Sequence, residues 1–377
     1  MNVLSPHRQA PQPVARAIAA QCKSQSQRVA LVLAGARGRV ACALRAQLAR
    51  EHDAVLKRTG LNLLITAAFD RRGALFDFEG IAPLSLNQRL SESTPLATLQ
   101  LLERIYALPG ATVLIDATGS AEWAAEYPHL LRAGIGIATP NKRAHSGQYQ
   151  QWLSLREAAQ SGRAPIHYET TVAAALPVIN TLRALQQRGE RVIGIEGVLS
   201  GSLSYILTRV QQGVALSESV AEAMRLGYTE PDPLEDLDFI DLRRKLLILA
   251  REAGQRLEPE QIRMESLLPS GVSLTALLAG ACDAAWRERA DAARASGRRL
   301  VVVASWQQAG QARISVRAEA VDCAFARLAG GENMVCIRTE YHDAIPICIS
   351  GPGAGPAVTA AGVFSDILAA SRALLAR

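Results

Sequence analysis

Aromatic side chains make up only 5% of this 377-residue chain, and basic residues outnumber acidic ones by just 41 to 35. A nucleic-acid-binding surface needs a denser basic stripe than that, whereas a basic cleft for one phosphorylated cofactor fits. No uninterrupted apolar run reaches the length of a bilayer span, which predicts a soluble protein with no membrane partner. There is no C-x-x-C pair, and no Cys/His cluster has metal-ligand spacing. Cys22, Cys42, Cys282, Cys323, Cys336 and Cys348 are scattered and read as reduced thiols of a cytoplasmic protein. No acidic residue precedes Glu51. Residues 1–27 have no apolar signal core; a transit peptide and a loose extension are the alternatives, and a disordered extension is expected. No internal repeat is found.

What is present is apolar and patterned. Hydrophobic residues are 49% of the chain, which at this length supports two domains or one domain with a large insert. Arg28–Leu33, Leu61–Phe69, Ala111–Ile115 and Gly134–Ala138 read as strands, and Arg39–Glu51 and Ala121–Ala133 as helices. Strands alternating with helices imply a parallel sheet with right-handed crossovers. Past residue 165 the rhythm changes to a mixed α+β segment. Helices are expected at Val172–Gln187, Leu216–Leu226, Ile240–Ala253 and, solvated, at Ala284–Arg298. A strand is expected at Arg191–Val198 and a hairpin from Leu300–Ser305 and Ala312–Val316.

The first strand runs into Gly35-Ala36-Arg37-Gly38-Arg39-Val40-Ala41. Set against the G-x-G-x-x-G/A dinucleotide fingerprint, Ala36, Gly38 and Ala41 take the three glycine positions. Only the second keeps its glycine, at the point where backbone must approach a pyrophosphate. The helix that follows offers unpaired N–H groups and a positive dipole end. The second strand ends in Asp70-Arg71-Arg72. A carboxylate there suits the ribose hydroxyls of NAD, and Arg37 and Arg71 suit the 2′-phosphate of NADP; the balance leans to NADP.

A second motif runs Gly227-Tyr228-Thr229-Glu230-Pro231-Asp232-Pro233-Leu234-Glu235-Asp236-Leu237-Asp238 and continues into Ile240-Asp241-Leu242-Arg243-Arg244-Lys245. The proline-rich stretch is expected to be an irregular loop, with Asp238 capping the next helix. Asp241 and Lys245 then share one helix face. So many carboxylates beside an apolar helix suggest a polar pocket.

This motif resembles that of the homoserine dehydrogenase family, matching at Gly227–Pro233, Asp236-Leu237, Asp241 and Lys245. Thr139-Pro140-Asn141-Lys142, Tyr168–Val172, Gly197–Tyr205 and Gly351–Asp366 are similar to further segments of the family. The resemblance covers roughly residues 28–375. The aspartate kinase half and the C-terminal regulatory domain of some relatives are not seen, so the short monofunctional form is expected, without threonine feedback. It implies a Rossmann-type domain at 28–160, a catalytic and dimerisation domain at 161–345, and a segment at 346–377 returning to the first. A homodimer is implied.

The resemblance also implies roles. Lys245 would donate the proton with Lys142 as its partner, since burial lowers a lysine pKa and suits it to proton transfer. Asp241 would orient the substrate oxygen or the lysine. Glu230 and Asp236 would hold the substrate ammonium, and Gly201, Ser202 and Tyr228 its amino-acid end. Ala36, Arg37, Gly38, Arg39, Val40, Asp70, Arg71, Thr118, Lys142, Gly353, Ala354 and Gly355 would contact NADP or NAD. Glu169 with the carbonyls of Val172, Ala174 and Leu176 would hold a structural sodium ion. His145, beside the Lys142 loop, is expected on the surface. Three departures stand out: Ala36 in the fingerprint, Ala173-Ala174-Ala175 in place of Gly-Ala-Gly, and Phe239 in place of glycine. They motivate two alternatives, an oxidoreductase for another amino-acid aldehyde and a catalytically silent dinucleotide-binding regulator.

Overall fold

The computed structural model describes residues 27–229, 232–308, 311–328 and 330–377. Two six-stranded sheets organise the chain.

The first sheet is built from β1 (Gln27–Ala34), β2 (Leu61–Asp70), β3 (Gly73–Phe76), β4 (Ala111–Asp116), β5 (Gly136–Ala138) and β6 (Ile166–His167). Its order is β3-β2-β1-β4-β5-β6, parallel except for the β2–β3 hairpin. Six consecutive residues of β1, Val29 to Ala34, are buried, as expected of a central parallel strand covered on both faces. Helices α1 (Arg39–Thr59), α2 (Leu86–Ser91), α3 (Thr98–Tyr106), α4 (Ala121–Arg132) and α5 (Tyr149–Ser161) provide the connections. Helix α1 buries Ala41, Leu44, Leu48 and Val55 and ends at Gly60, whose φ of 75° makes the left-handed cap. The strand order reverses between β1 and β4, and the crevice at their carboxyl ends is where ligands of such sheets bind.

The second sheet holds β7 (Val192–Val198), β8 (Ile262–Met264), β9 (Arg298–Gln307), β10 (Gln311–Ala320), β11 (Glu332–Thr339) and β12 (Ile347–Pro352), in the order β12-β11-β7-β9-β10-β8. The β9–β10 hairpin forms where the sequence places it, two strands longer than the expected runs. Strands β3, β6, β8, β11 and β12 were not legible, being short or lacking strict alternation of apolar and polar residues. Helices α6 (Val178–Gln187), α7 (Gly201–Gln211), α8 (Leu216–Arg225), α9 (Pro233–Leu237), α10 (Ile240–Glu252), α11 (Leu274–Leu278) and α12 (Asp283–Ala295) belong to this half. Leu300, Val302, Ala304 and Trp306 of β9 face the core shared with them, while Val303 joins Val198 and Phe325 in a small cluster on the other side.

The last helix, α13 (Pro356–Leu375), comes back to the first sheet and packs on α1, β4 and β5 through Ala360, Val363, Phe364, Ile367, Ala370 and Leu374. By length and a mean hydropathy of 1.4 this helix is apolar enough to cross a bilayer. Asp366 and Arg372 interrupt its apolar run. Half of it is buried inside the molecule.

Four further expectations are corrected. Cys336 and Cys348 are not both free thiols: they occupy directly opposed positions on β11 and β12, with Cα atoms 4.2 Å apart, and form a disulfide. The scattered spacing hid a pairing that only the antiparallel register creates. The acidic motif is not wholly irregular, since Asp232 caps α9 through the Leu234 N–H and Pro233 takes its first turn. Asp238 does not cap α10; it ends α9 and accepts the Ser266 hydroxyl at 2.9 Å. The helix expected from Val172 begins only at Val178, because Ala173 and Ala174 take left-handed φ values of 55° and 52° and Pro177 follows.

Phe239 links α9 to α10 with φ 59° and is fully buried. The left-handed conformation costs a non-glycine residue roughly 1–2 kcal/mol. Burying its ring returns about 1.5–3 kcal/mol, so packing offsets the strain. The ring sits in the second core and does not line the cleft described below.

Candidate active site

The first β–α turn is pinned before it reaches the cleft. The N–H groups of Gly35 and Ala36 both donate to the Phe69 carbonyl, at 2.9 and 3.2 Å. Gly35 carries φ 74°, and a Cβ there would meet Thr118 Cγ2 at 2.9 Å. Gly35 therefore supplies the tight turn that the fingerprint assigns one residue later, and Ala36 buries its methyl group in the core. A Cβ at Gly38 would meet the Gly35 carbonyl at 3.1 Å, so close backbone packing is kept there. No side chain caps α1, and none caps α13, which starts at Gly355-Pro356. Two helix N-termini thus open toward one cleft, with Arg39, Val40, Gly353, Ala354 and Gly355 on its walls. A pair of uncapped helix starts framed by glycines fits the pyrophosphate of a dinucleotide. At the end of β2, Arg37 donates to Asp70 through Nε at 2.5 Å and Nη2 at 2.6 Å. Arg37, Asp70, Arg71 and Thr118 do not line the cleft itself.

The cleft encloses about 640 Å³ and lies between the two sheets. Lys142 enters it from the first half. Its loop is bracketed by the end of β4: Thr139 Oγ1 donates to the Asp116 carbonyl at 2.8 Å, and Asn141 Nδ2 to the Asp116 carboxylate at 3.0 Å. Asp116 is fully buried and also accepts the Tyr127 hydroxyl at 2.6 Å and the Thr118 hydroxyl at 2.6 Å. This hub was missed; the aspartate closing a strand was the available signal.

Asp241 and Lys245 enter from the second half, one turn apart on α10. Asp241 lies 3.2 Å from Lys142 Nζ through one oxygen and 2.8 Å from Lys245 Nζ through the other. Burial by itself would raise the Asp241 pKa, but the two ammonium groups outweigh it and hold the carboxylate well below its usual range. Lys245 Nζ also donates to the Leu199 carbonyl at 2.7 Å. An ammonium has three donors, so one remains for a further acceptor in the cleft.

Helix α9 turns Asp236 inward. It accepts the Ser202 hydroxyl at 2.9 Å, and Ser202 in turn meets Ser200 at 2.8 Å. Ser200 caps α7 through the Leu203 N–H. Gly201 approaches the Gly331 backbone so closely that a Cβ would lie 3.2 Å from Gly331 Cα. Tyr228 stands half-exposed at the rim, edge-on to Tyr205. Ser202, Gly201, Tyr228 and Asp236 all line the cleft, together with Ala173 and Ala174. Glu230 lies outside the described residues.

Glu169 stands apart from the cleft lining. Its two oxygens accept the N–H groups of Ile179 and Asn180 at 2.7 and 2.8 Å, capping the start of α6, and burial raises its pKa. The Leu176 carbonyl accepts the Val178 N–H at 2.8 Å. No cluster of three His, Cys, Asp or Glu side chains suited to a metal occurs among the described residues.

His145 is corrected from surface to core. It is fully buried, its ring stacks on Tyr168 with centroids 3.6 Å apart, and neither ring nitrogen has a hydrogen-bond partner. Burial, then Arg183, Arg156 and Arg251, holds its pKa well below the usual value.

Known proteins resemble this chain in sequence and in fold. The sequence matches the homoserine dehydrogenase family over residues 177–368 and the NAD-binding domain of homoserine dehydrogenase over residues 14–169. Homoserine dehydrogenase of Emericella nidulans is 35% identical over 298 residues, covering 74% of this chain and 80% of that protein. Bifunctional aspartokinase/homoserine dehydrogenase 2 of Zea mays is 39% identical over 263 residues, covering 68% of this chain; the match spans only 29% of that longer protein. A hyperthermophilic archaeal homoserine dehydrogenase in complex with NADPH superposes with a TM-score of 0.74 at 25% identity, covering 92% of this chain and 98% of that one. Both halves of the cleft, one with its uncapped helix start and one with its paired Asp241 and Lys245, fall within these matches, and the chain belongs to the homoserine dehydrogenase family.

Proposed function

We propose that this chain interconverts L-homoserine and L-aspartate 4-semialdehyde as an NAD(P)-dependent oxidoreductase of amino-acid biosynthesis, serving threonine and methionine formation. The observation that carries the reading is Asp241 bridging Lys142 and Lys245 in a cleft that two uncapped helix starts also face. When bound, the nicotinamide supplies the hydride for the aldehyde carbon. Lys245 turns its remaining N–H toward the carbonyl oxygen, polarises it, and gives it a proton as the alcohol forms. In the reverse direction the same amine takes the hydroxyl proton. Asp241 stays ionised throughout and keeps the two ammonium groups converged on one oxygen. Lys142 adds positive charge where the oxygen becomes negative. Asp236, oriented by Ser202, and Glu230 accept the substrate ammonium, while Gly201 and Tyr228 border its carboxylate end.

The cofactor contacts assigned to Ala36, Arg37, Gly38, Arg39, Val40, Asp70, Arg71, Thr118 and Gly353–Gly355 belong to the same reading. NADP is the slightly preferred form, supported by Arg37 and Arg71 at the end of β2. A structural sodium ion would be held by Glu169 and the carbonyls of Val172, Ala174 and Leu176; Glu169 keeps free lone pairs for it, although the Leu176 carbonyl already has a backbone donor. A homodimer belongs to the same reading; on the outer side of the second sheet Val301, Met334 and Cys336 are only partly buried within one chain. The proposed location is the cytoplasm, a reading that no longer draws on Cys336 and Cys348, which are paired in a disulfide. Burial of the Phe239 ring in the core weakens the case for a different aldehyde substrate.

The test is homoserine oxidation with NADP and with NAD, wild type beside Lys245→Ala. The substitution is expected to lower kcat about a hundredfold or more, the usual loss with a proton-transfer group. An unchanged rate removes Lys245 from the chemistry, and failure of both NADPH and NADH to bind rejects the enzyme reading.

A further inference from the structure

Lys142 and Lys245 come from different halves of the chain, so their separation depends on whatever joins the Lys142 turn to α10. Beside the Asp241 bridge itself, a second join sits at the other end of the same helix. Arg251, roughly three turns or about 15 Å beyond Asp241, has a fully buried side chain. Its Nη1 donates to the His145 carbonyl at 3.0 Å, and its Nη2 donates to the Gly147 carbonyl at 2.7 Å. Nε and Nη2 also reach the Leu257 carbonyl, at 3.2 and 3.0 Å. The turn is closed from its own side. The Lys142 carbonyl accepts the His145 N–H at 3.0 Å and the Ser146 hydroxyl at 2.9 Å. The carbonyls leaving that turn are the ones Arg251 holds. Glu258, 3.7 Å from Arg251, accepts the Tyr149 N–H at 2.8 Å just downstream.

We infer that Arg251 is a positioning residue for Lys142: its guanidinium fixes the Lys142 turn to the helix bearing Asp241 and Lys245, and so sets the gap between the two ammonium groups. The planar fork suits this role, since it reaches several carbonyls at fixed angles where a lysine offers one point charge. A buried guanidinium whose nearest carboxylate is 3.7 Å away is a costly way to join two segments. Hydrocarbon would serve a purely structural contact; fixing the direction of the turn needs directed hydrogen bonds.

The kinetic readout rests on the reaction proposed above, while the geometry does not, and two measurements separate them. The first is a double-mutant cycle of Arg251→Lys with Lys142→Ala in homoserine oxidation. Arg251→Lys alone is expected to lower kcat about tenfold, because misplacement by a fraction of an ångström to an ångström costs about one to two orders of magnitude. In the Lys142→Ala background it should cost less than about twofold, the signature of two residues acting as one. Equal losses in both backgrounds overturn the inference, as does an unchanged kcat in folded Arg251→Lys. The second is acetylation by acetic anhydride read by peptide mass spectrometry, which needs no turnover. Lys142 should label several-fold faster in Arg251→Lys than in wild type, with exposed Lys57 unchanged; equal labelling of Lys142 overturns the inference even if the wild type proves inactive on homoserine. Should Arg251→Lys fail to fold, Glu258→Gln, one-third exposed and holding the same segment, enters both measurements with the same expectations at smaller, few-fold size.

Discussion

Arg37 in the first β–α turn and Asp70 at the end of β2 are joined by two hydrogen bonds, of 2.5 and 2.6 Å. The Arg37 hydrogen bond is the main reason the Asp70 pKa lies below its ordinary value. The basic group proposed for an extra phosphate and the acidic group suited to a ribose are therefore each other's partners. Arg37→Ala is expected to weaken NADPH binding about tenfold, the worth of one charge-assisted hydrogen bond, and to change NADH binding far less. Fluorescence titration of both nucleotides checks it, and equal losses for the two would remove Arg37 from phosphate recognition.

Asp241 faces two ammonium groups and stays ionised far below neutrality. Its own titration therefore contributes nothing to a rate profile between about pH 5 and about pH 9. Asp241→Asn should lower kcat about a hundredfold by the same factor between about pH 5 and about pH 7. A loss that shrinks on the acid side would mean that Asp241 itself titrates there, since the protonated carboxyl would already resemble the amide.

His145 and His167 are held neutral in the fold. Burial, then Arg183, pushes His167 down to about 4, and His145 is lowered by burial and three arginines. Unfolded histidine titrates near about 6.5, so below that pH the unfolded chain binds more protons than the folded one. Stability is therefore retained above about 6.5 and lost as pH falls toward 4. His145→Phe keeps the stack on Tyr168 and removes two buried nitrogens without partners. It should raise stability by about 1–2 kcal/mol and flatten the decline of Tm between pH 6.5 and about 4. If its Tm falls as steeply with acid as that of wild type, His145 is not a source of the decline.

Ala173 and Ala174 carry φ values near 55° on the cleft wall, a conformation that a side chain disfavours by roughly 1–2 kcal/mol. Ala173→Gly is expected to raise stability by about 0.5–1 kcal/mol, since glycine's greater unfolded-state freedom offsets part of the relief. Phe239→Gly should do the opposite and destabilise by about 2–4 kcal/mol, because a cavity replaces a fully buried ring. Urea titration distinguishes the two signs, and a stabilised Phe239→Gly would refute the balance of packing over strain drawn for that residue.

How much of this was legible depended on the range of the cause. Strands β1, β2, β4 and β5 and the start of α1 were readable because apolar runs closed by Gly35 or Asp70 are local signals; β3, β6 and the last two turns of α1, beyond Glu51, were not. The spacing of Asp241 and Lys245 gave their shared helix face, which the structure bears out. The register that opposes Cys336 to Cys348, the burial of His145, and the reach of Arg251 across to the Lys142 turn depend on residues distant in sequence. No periodicity marks them. Asp238 misled because a carboxylate before an apolar helix is usually its cap, whereas here the left-handed Phe239 intervenes. Ala36 departs from the fingerprint because Gly35, one residue earlier, makes the tight turn, while Gly38 keeps its place.

The return of α13 to the first sheet bears on how the chain matures as it leaves the ribosome. Synthesis delivers β1 through β6 first, yet Leu44, Leu48 and Val113 share their core cluster with Val363 and Ile367 of the last helix. Until those late residues emerge, the nascent first half carries an uncovered apolar flank beside the whole of the second half. Such a flank is where chaperones would bind during translation, and where a stalled or shortened product would aggregate.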